Sequence, residues 1–341
     1  MTVEERILGS LLGGAIGDAM GAATETRTPE LIREKFGGYV REFRQAPEDT
    51  FARGAVAGYV TDDFSLAYYT AREIVKNGGK IDRGVAERSV LTWSEHPEYF
   101  DNYAGPTTRA GIARLKGEAP AESYSFLACD NAKATNGAGM KIGPVGMLHP
   151  GDLDRAVADA VTIIRVTHDN DLAISGGCAI AAAVSCAMVE GKNAVDVVNA
   201  GLYGAREGMR LARGFAKKLA GPSVEKRIAL AAEIGLRYCG DYERAMIELG
   251  DIVGAGLHVS EAVPCVFGLV MSTNGHPLET IFSAVNIGND TDTVAAMAGY
   301  IVGALNGAPA YDSYYYDTIE AANHFDLRSL AHEMAACAAR N

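Results

Sequence analysis

Two short segments place acidic and hydroxyl side chains side by side at the start of apolar helices. One is Thr61-Asp62-Asp63, and the other is Gly288-Asn-Asp290-Thr-Asp292-Thr293, which leads into fifteen uncharged residues at 294–308. Asp and Thr are ordinary N-cap residues, because they bind free backbone N–H groups and meet the positive end of the helix dipole. Adjacent acids exceed what one cap requires, however. We therefore predict that both segments belong to one acidic site.

Convergence of these segments implies a cation. Five carboxylates in one pocket repel one another, so most would have to take up protons unless cations were present. Oxygen-only ligands select hard ions such as Mg²⁺, Mn²⁺ or Ca²⁺ over zinc, and five negative charges suit two ions better than one. A two-metal site binds a diol and lowers the pKa of a water, which is hydrolase chemistry. The residues expected to converge are Glu25, Thr61, Asp62, Asp63, Asp290, Asp292 and Thr293.

Two glycine-rich helices explain how the acids could meet. Gly13, Gly17 and Gly21 are four apart in a predicted helix at 4–22, and Gly299, Gly303 and Gly307 repeat the spacing near the C-terminus. Four-residue spacing stacks glycines on one helical face, where another backbone can come close. Contact between two such faces would bring the loop that carries Glu25 to a central site.

The rest of the chain predicts an all-α protein. Helices are expected at 81–117 with breaks at Pro97 and Gly105, at 154–166, 171–190, 192–250 and 260–287, and from Leu327 to Ala338. Residues 26–60 are mixed and rich in turn signals, and strand signals are few. Because acids from both ends must meet, we predict one domain over residues 1–341. Gly14 and Gly17 do not indicate a dinucleotide site, since no strand precedes them.

Composition narrows the class of partner. The net charge is −12 and the Lys and Arg residues are dispersed, which argues against nucleic acid as a partner. The six cysteines show no Cys-x-x-Cys spacing, so we expect reduced thiols in a cytoplasmic protein. The uncharged run at 172–189 is rich in Gly, Ser and Ala, so a buried helix is favoured over a membrane span. The oligomeric state is left open.

A glycine loop at 136–144 is a second candidate site. Glycine clusters free backbone N–H groups to cradle an anion, and Lys141 could assist. A plain turn between two helices is the alternative interpretation, and this loop alone favours it.

Five motifs together resemble the ADP-ribosylglycohydrolases, including the dinitrogenase reductase-activating glycohydrolases. The resemblance covers roughly residues 5–310 in the right order. Its motifs are Gly17-Asp18-Ala-Met-Gly21-x-x-x-Glu25, Thr61-Asp62-Asp63, Asn136-Gly137-x-Gly139-Met140-Lys141-Ile142, Thr167-His168 and Gly288-x-Asp290-Thr-Asp292-Thr293.

This resemblance implies a compact all-α orthogonal bundle with two Mg²⁺ or Mn²⁺ ions in a central cleft. One side of the metal site would be held by Thr61, Asp62 and Asp63, and the other by Asp290, Asp292 and Thr293. Among the carboxylates, Glu25, Asp62 and Asp292 are the implied catalytic residues. Substrate would be bound by Asn136, Gly137, Gly139, Met140 and His168.

The implied reaction is hydrolysis of a ribosyl glycosidic bond. The expected substrates are ADP-ribosylated protein side chains or ADP-ribose conjugates, and the alternative is a nucleosidase acting on a small N-riboside. The chain departs from the family pattern in three places. Phe64 and Asn289 replace a common Thr and Gly, and the segment 130–135 lacks the aromatic residue that stacks adenine in some relatives.

Overall fold

The computed structural model describes residues 1–119 and 127–340, and these residues confirm the all-α prediction. Within those two ranges there are isolated β-bridges but no β-strand. The α-helices are α1 (Val3–Thr24), α2 (Pro29–Phe36), α3 (Asp62–Lys76), α4 (Arg83–Trp93), α5 (Pro97–Tyr103), α6 (Pro106–Leu115), α7 (Gly143–Leu148), α8 (Leu153–Ile164), α9 (Asp171–Ala187), α10 (Ala194–Ala212), α11 (Val224–Arg237), α12 (Tyr242–Ile252), α13 (Val259–Ser272), α14 (Pro277–Asn286), α15 (Thr291–Asn306), α16 (Ser313–Asn323) and α17 (Leu327–Ala338).

Helices α1 and α15 pack antiparallel through their glycine faces, as the spacing predicted. A Cβ atom added to Gly13 would lie 2.3 Å from the carbonyl oxygen of Gly299, and one on Gly17 would lie 2.1 Å from that of Ala295. A Cβ on Gly21 would lie 2.4 Å from the Cα of Asp292. Backbone therefore contacts backbone along the pair, and the C-terminal end of α1 meets the N-terminal end of α15.

Helix α9 lies in the middle of the core, which confirms the interpretation of its uncharged run as a buried helix. Every residue from Asp171 to Ala187 is buried. Helix α1 is long and apolar enough to cross a membrane, but 94% of its apolar window is buried inside the protein. Core packing accounts for the composition of both helices.

Three helices were not anticipated from the sequence, and one of them, α7, begins inside the stretch taken as a glycine loop or a plain turn. Helix α2 lies within the stretch taken as mixed, yet Thr28 caps it through the Leu31 N–H at 3.3 Å and Pro29 occupies its first turn. A Thr-Pro pair of this kind marks a helix start, so the signal was present. Helix α16 lies in the aromatic stretch before α17, where no apolar period was evident. It packs through Tyr315 and Ile319, which are buried.

The α1–α15 contact makes Gly17→Ala a severe substitution. Alanine favours a helix by about 1 kcal/mol over glycine. The new methyl group would lie 2.1 Å from a backbone oxygen, so the helices must separate. We expect a net loss of about 3 kcal/mol or more in the free energy of unfolding, measured by chemical denaturation. Gly105→Ala is the matched control, because a Cβ there meets nothing within 4 Å and should cost less than about 0.5 kcal/mol.

Candidate metal centre and substrate loop

The junction between α1 and α15 is fixed by threonine hydroxyl groups. The Thr24 hydroxyl contacts the Val285 carbonyl at 2.7 Å and the Thr291 hydroxyl at 3.0 Å. The Thr291 hydroxyl in turn donates to the Gly21 carbonyl at 2.9 Å. All of these groups are buried, so the two helix ends are held in one arrangement.

Two backbone hydrogen bonds continue this junction beyond the ends of the helices, and they place Glu25 opposite Asp290. The Thr26 N–H donates to the Asn289 carbonyl and the Asn289 N–H donates to the Arg27 carbonyl, each at 2.8 Å. Thr26 and Asn289 have φ angles of 64° and 66°. Asn tolerates this left-handed conformation better than most residues, which explains how it replaces the glycine of the family pattern.

Asp18 organises the N-terminal end of α3, and the sequence interpretation did not include it among the site residues. Its carboxylate accepts the Thr61 N–H at 3.0 Å, the Thr61 hydroxyl at 2.8 Å and the Phe64 N–H at 2.8 Å. Asp18 thus caps α3 from a different helix. The signal was an ionisable residue inside an apolar helix, since a buried acid has to be paired. Phe64 contributes only its backbone N–H to this cap. Any residue other than proline could therefore replace the common threonine of the family pattern without loss of this bond.

The predicted acids converge in two overlapping groups. Carboxylate oxygens of Asp18, Asp63 and Asp292 lie within 4.8 Å of one another, and so do those of Glu25, Asp290 and Asp292. Asp292 is common to both groups. All five residues are buried.

The three remaining predicted ligands border these groups. Thr61 is buried next to Asp63, with its hydroxyl oxygen 3.3 Å from a carboxylate oxygen of Asp63. The Thr293 side chain hydrogen-bonds to Asp63 and Asp290, and this lowers the pKa of each against the larger effect of burial. Asp62 is only half-buried, so it is the acid most open to solvent.

Burial raises the pKa of every acid in the centre, and repulsion by neighbouring carboxylates adds to the rise for Glu25, Asp62, Asp63 and Asp292. Burial, followed by the charges of Asp290 and Asp62, raises the pKa of Glu25 to about 8. Burial, followed by the charge of Asp18, raises the pKa of Asp62 to about 8. The pKa values of Asp63 and Asp292 lie well above their usual range, with burial again the first cause. Protons or cations must therefore neutralise the centre at neutral pH.

The donor set fits hard divalent cations. It consists of carboxylate and hydroxyl oxygens, which Mg²⁺ and Mn²⁺ prefer. One carboxylate oxygen of Asp63 is buried and has no hydrogen-bond partner among the described residues. An orphaned oxygen of this kind is costly unless a ligand occupies it. The geometry thus supports metal binding at this centre.

The glycine loop lies against the same centre. The Asn136 side-chain amide donates to a carboxylate oxygen of Asp290 at 2.5 Å. The Asn136 N–H donates to the Leu257 carbonyl at 2.9 Å, and the Asp290 N–H donates to the Ala255 carbonyl at 3.0 Å. One segment therefore holds both the loop and an acid of the centre, although they are far apart in sequence.

The other predicted substrate residues are buried within the loop or packed against it. A Cβ on Gly137 would lie 2.8 Å from the His168 ring, and one on Gly139 would lie 2.5 Å from the Met297 sulfur. His168 is 1% exposed and Met140 is 5% exposed. Close packing explains both glycines. Contact of these residues with substrate stays a prediction.

An all-α fold with a buried acidic centre beside a glycine loop is the arrangement that the resemblance to the ADP-ribosylglycohydrolases implied. The family model for ADP-ribosylglycohydrolase matches residues 1–340, so the chain belongs to the ADP-ribosylglycohydrolase family. The resemblance drawn from the motifs is confirmed, and the chain is assigned to a glycosidase family.

Individual relatives agree with this family. The chain is 32% identical over 335 residues to the Escherichia coli (strain K12) protein YegU, covering 97% of this chain and 96% of that one. It is 26% identical over 336 residues to the ADP-ribosylarginine hydrolase Tri1 of Pseudomonas putida (strain GB-1), covering 97% and 78%. A solved structure titled ADP-ribosylglycohydrolase-related protein complex has the same fold, with a TM-score of 0.67, 21% identity and coverage of 98% of both chains.

The raised pKa values predict an unusual dependence of stability on pH. Free carboxyl groups in an unfolded chain titrate near about pH 4, whereas those of Glu25 and Asp62 in the folded chain titrate at about 8. The metal-free folded state binds more protons over this window, so its stability falls as pH rises. We expect a lower melting temperature at about pH 8 than at about pH 5.5 in EDTA, and the opposite order with saturating Mg²⁺ or Mn²⁺.

Asp292→Asn is the diagnostic variant for this measurement. Removing the acid shared by both groups relieves repulsion, so the metal-free protein should melt higher at about pH 8, while the gain on adding metal disappears. A wild-type melting temperature that does not respond to either metal at this pH contradicts the metal centre.

The cap formed by Asp18 gives a second expectation. Asp18→Asn turns an amide NH₂ toward backbone N–H groups, so in saturating Mg²⁺ we expect a loss of about 1–3 kcal/mol in the free energy of unfolding. Asp82→Asn is the control, because Asp82 caps α4 by accepting the Val85 N–H at 2.9 Å and Asn caps a helix as well as Asp does. Equal denaturation midpoints for the two variants would show that Asp18 has no special role.

Proposed function

We propose that the protein is a metal-dependent hydrolase that cleaves the ribosyl glycosidic bond of ADP-ribosylated protein side chains or ADP-ribose conjugates. The observation that carries this proposal is the convergence of five buried carboxylates, from α1, α3, α15 and the residues that cap α1 and α15, beside a loop bound to Asp290. Family membership supports action on ADP-ribose linkages. Localisation in the cytoplasm remains part of the proposal.

Two divalent ions would be held by Thr61, Asp62 and Asp63 on one side of the centre and by Asp290, Asp292 and Thr293 on the other. When bound, such ions orient the ribose hydroxyl groups and lower the pKa of a water. The chain supplies the rest of the arrangement. Asp18 holds the α3 end in register, and the α1–α15 contact fixes the other end.

Glu25 is suited to move the proton. Hydrolysis of a glycosidic bond needs a group that takes a proton from water or gives one to the leaving group. Glu25 follows the C-terminal end of α1, and a carboxylate oxygen of Glu25 lies within 4.8 Å of one from Asp290 and one from Asp292. Arg27 donates to the Glu25 backbone carbonyl at 3.1 Å. Glu25 is thereby positioned at the centre.

The name of one relative supports arginine as the residue that carries the ADP-ribosyl group. The Pseudomonas putida relative is called an ADP-ribosylarginine hydrolase, and we propose ADP-ribosylarginine as the first substrate to test. The half-buried Asp62 lies on the solvent side of the centre, where a protein side chain would approach.

The test is a product assay with purified enzyme. ADP-ribosylarginine, ADP-ribosylserine and a panel of nucleosides are incubated with Mg²⁺, with Mn²⁺ or with EDTA, and the release of ADP-ribose or ribose is measured. We expect metal-dependent release of ADP-ribose. Glu25→Gln should lower kcat by about 10²–10⁴-fold, because it removes a proton-transfer group. Glu30→Gln is the control on the neighbouring helix, at an exposed position, and should leave kcat unchanged.

The outcomes separate the candidate functions. Release of ribose from a nucleoside, without cleavage of either ADP-ribosyl amino acid, would replace the proposal with an N-riboside nucleosidase. Turnover that is equal in EDTA and in metal would contradict the metal dependence.

A further inference from the structure

Tyr103 is the last residue of α5, and it lies at the edge of the acidic centre. It packs against the main core and against a small separate cluster formed by Ala22, Ala46 and Ala52. Ala22 follows Asp18 by four positions on α1, so these two residues share one face of that helix. The cluster that Tyr103 packs on therefore borders an acid of the centre. Neither the predicted metal ligands nor the proton transfer includes Tyr103.

The acids of the centre act on Tyr103 through their charge. Burial and the neighbouring Tyr59 raise the pKa of its phenol, and three carboxylates of the centre add to this rise, those of Asp18, Asp62 and Asp292. Tyr103 and Asp62 are each only half-buried. The ring thus stands on the open side of the centre, where an acceptor side chain would approach.

The aromatic face of Tyr103 is not engaged by the rest of the described chain. No aromatic ring stacks on it and no cation lies over it, whereas Tyr59 and Tyr99 stack on each other at 5.9 Å. Arg109 lies 4.7 Å above the Phe100 ring and donates to three carbonyl groups at the end of α5. Arg109 therefore fixes the end of this helix and leaves the Tyr103 ring available.

We propose that Tyr103 is a specificity-determining residue whose ring stacks on the guanidinium group of an ADP-ribosylated arginine. The inference rests on the proposed function, in which the leaving group is a protein side chain. A guanidinium group remains a planar cation when one of its nitrogens is bonded to ribose, and such a cation is attracted to the face of a tyrosine ring. The serine hydroxyl group of ADP-ribosylserine offers no cation to this face.

Charge at this edge favours the same acceptor. Helix α5 carries two exposed acids, Glu98 and Asp101, and no basic residue. Such a surface attracts a cationic side chain over a neutral one. The carboxylates of the centre would themselves be bound to metal, so they are not free to pair with a guanidinium group. An aromatic face is then the group that recognises it.

Tyr103→Leu tests the stacking, because leucine keeps apolar bulk and removes the aromatic face. With saturating Mg²⁺, kcat/KM is measured for ADP-ribosylarginine and for ADP-ribosylserine. We expect the ratio of the two values to fall about tenfold. Tyr103→Phe keeps the ring and should restore the ratio to within about twofold of wild type. An equal loss in Tyr103→Phe would assign the effect to the hydroxyl group and overturn the stacking.

The ratio separates recognition from a structural role of Tyr103. A structural defect lowers kcat/KM for both substrates together with the melting temperature, so it leaves the ratio unchanged. An unchanged ratio in Tyr103→Leu therefore overturns the inference. Asn102→Ala is the matched control, because Asn102 is the exposed neighbour on α5 and its loss should not change the ratio.

Binding gives a measurement that does not need turnover. In the Glu25→Gln background, intact ADP-ribosylarginine and ADP-ribose are titrated by calorimetry in saturating Mg²⁺. Adding Tyr103→Leu should weaken binding of ADP-ribosylarginine about tenfold and change that of ADP-ribose by less than about twofold. Equal losses for both ligands would overturn the stacking.

The remaining outcomes separate this inference from the proposed function. A wild type that cleaves neither ADP-ribosyl amino acid, yet binds ADP-ribosylarginine with Tyr103 dependence, supports the stacking and contradicts the proposed hydrolase. A wild type that cleaves only ADP-ribosylserine overturns the stacking and leaves the hydrolase in place. Failure to bind ADP-ribosylarginine more tightly than ADP-ribose overturns the stacking as well.

Discussion

The contact between α1 and α15 is the constraint on which the site depends. Glycine and alanine let the two backbones meet without intervening side chains, so the end of one helix lies directly against the start of the other. Carboxylates at these ends would separate if they were free to move, because their repulsion in a buried site is strong. Close packing of rigid helices opposes that separation.

Stability and function pull in opposite directions at this centre. An acidic cluster with raised pKa values weakens the metal-free fold, and the surrounding core has to compensate for it. Threonine hydroxyl groups, the backbone hydrogen bonds of Thr26 and Asn289 and the cap supplied by Asp18 all hold the acids where repulsion would displace them. Strain of this kind is typical of functional sites, where local preferences yield to a chemical requirement.

Much of the helix contact and the acidic centre could be predicted from the sequence, because both depend on residues that recur at short, regular spacings. The four-residue spacing of Gly13, Gly17 and Gly21 predicted a close contact between two helices. The two segments of adjacent acidic and hydroxyl residues, at 61–63 and 290–293, predicted a shared site. The capping role of Asp18 was not predicted, because its partners Thr61 and Phe64 are more than forty positions away in the sequence. No local sequence pattern indicates a hydrogen bond over that separation. The direction of Asn136 toward Asp290 is equally non-local, with 154 positions between them.

The loop illustrates a second limit of sequence interpretation. Gly137 and Gly139 read as residues that expose backbone to a ligand, and the structure shows that each also has a packing reason. A side chain at Gly137 would strike His168, and one at Gly139 would strike Met297. Close packing in the protein interior therefore requires glycine at these two positions, whether or not substrate is bound.

The pairing of the first helix with the fifteenth has a consequence for synthesis of the protein. Helix α1 leaves the ribosome long before α15 is made, and its glycine face has no side chains with which to form a stable temporary contact. Contacts between such distant segments form late in folding, because a long loop must close first. The acidic centre is therefore completed only when nearly all of the chain is available, so an unfinished chain that lacks α15 has no site to load with metal.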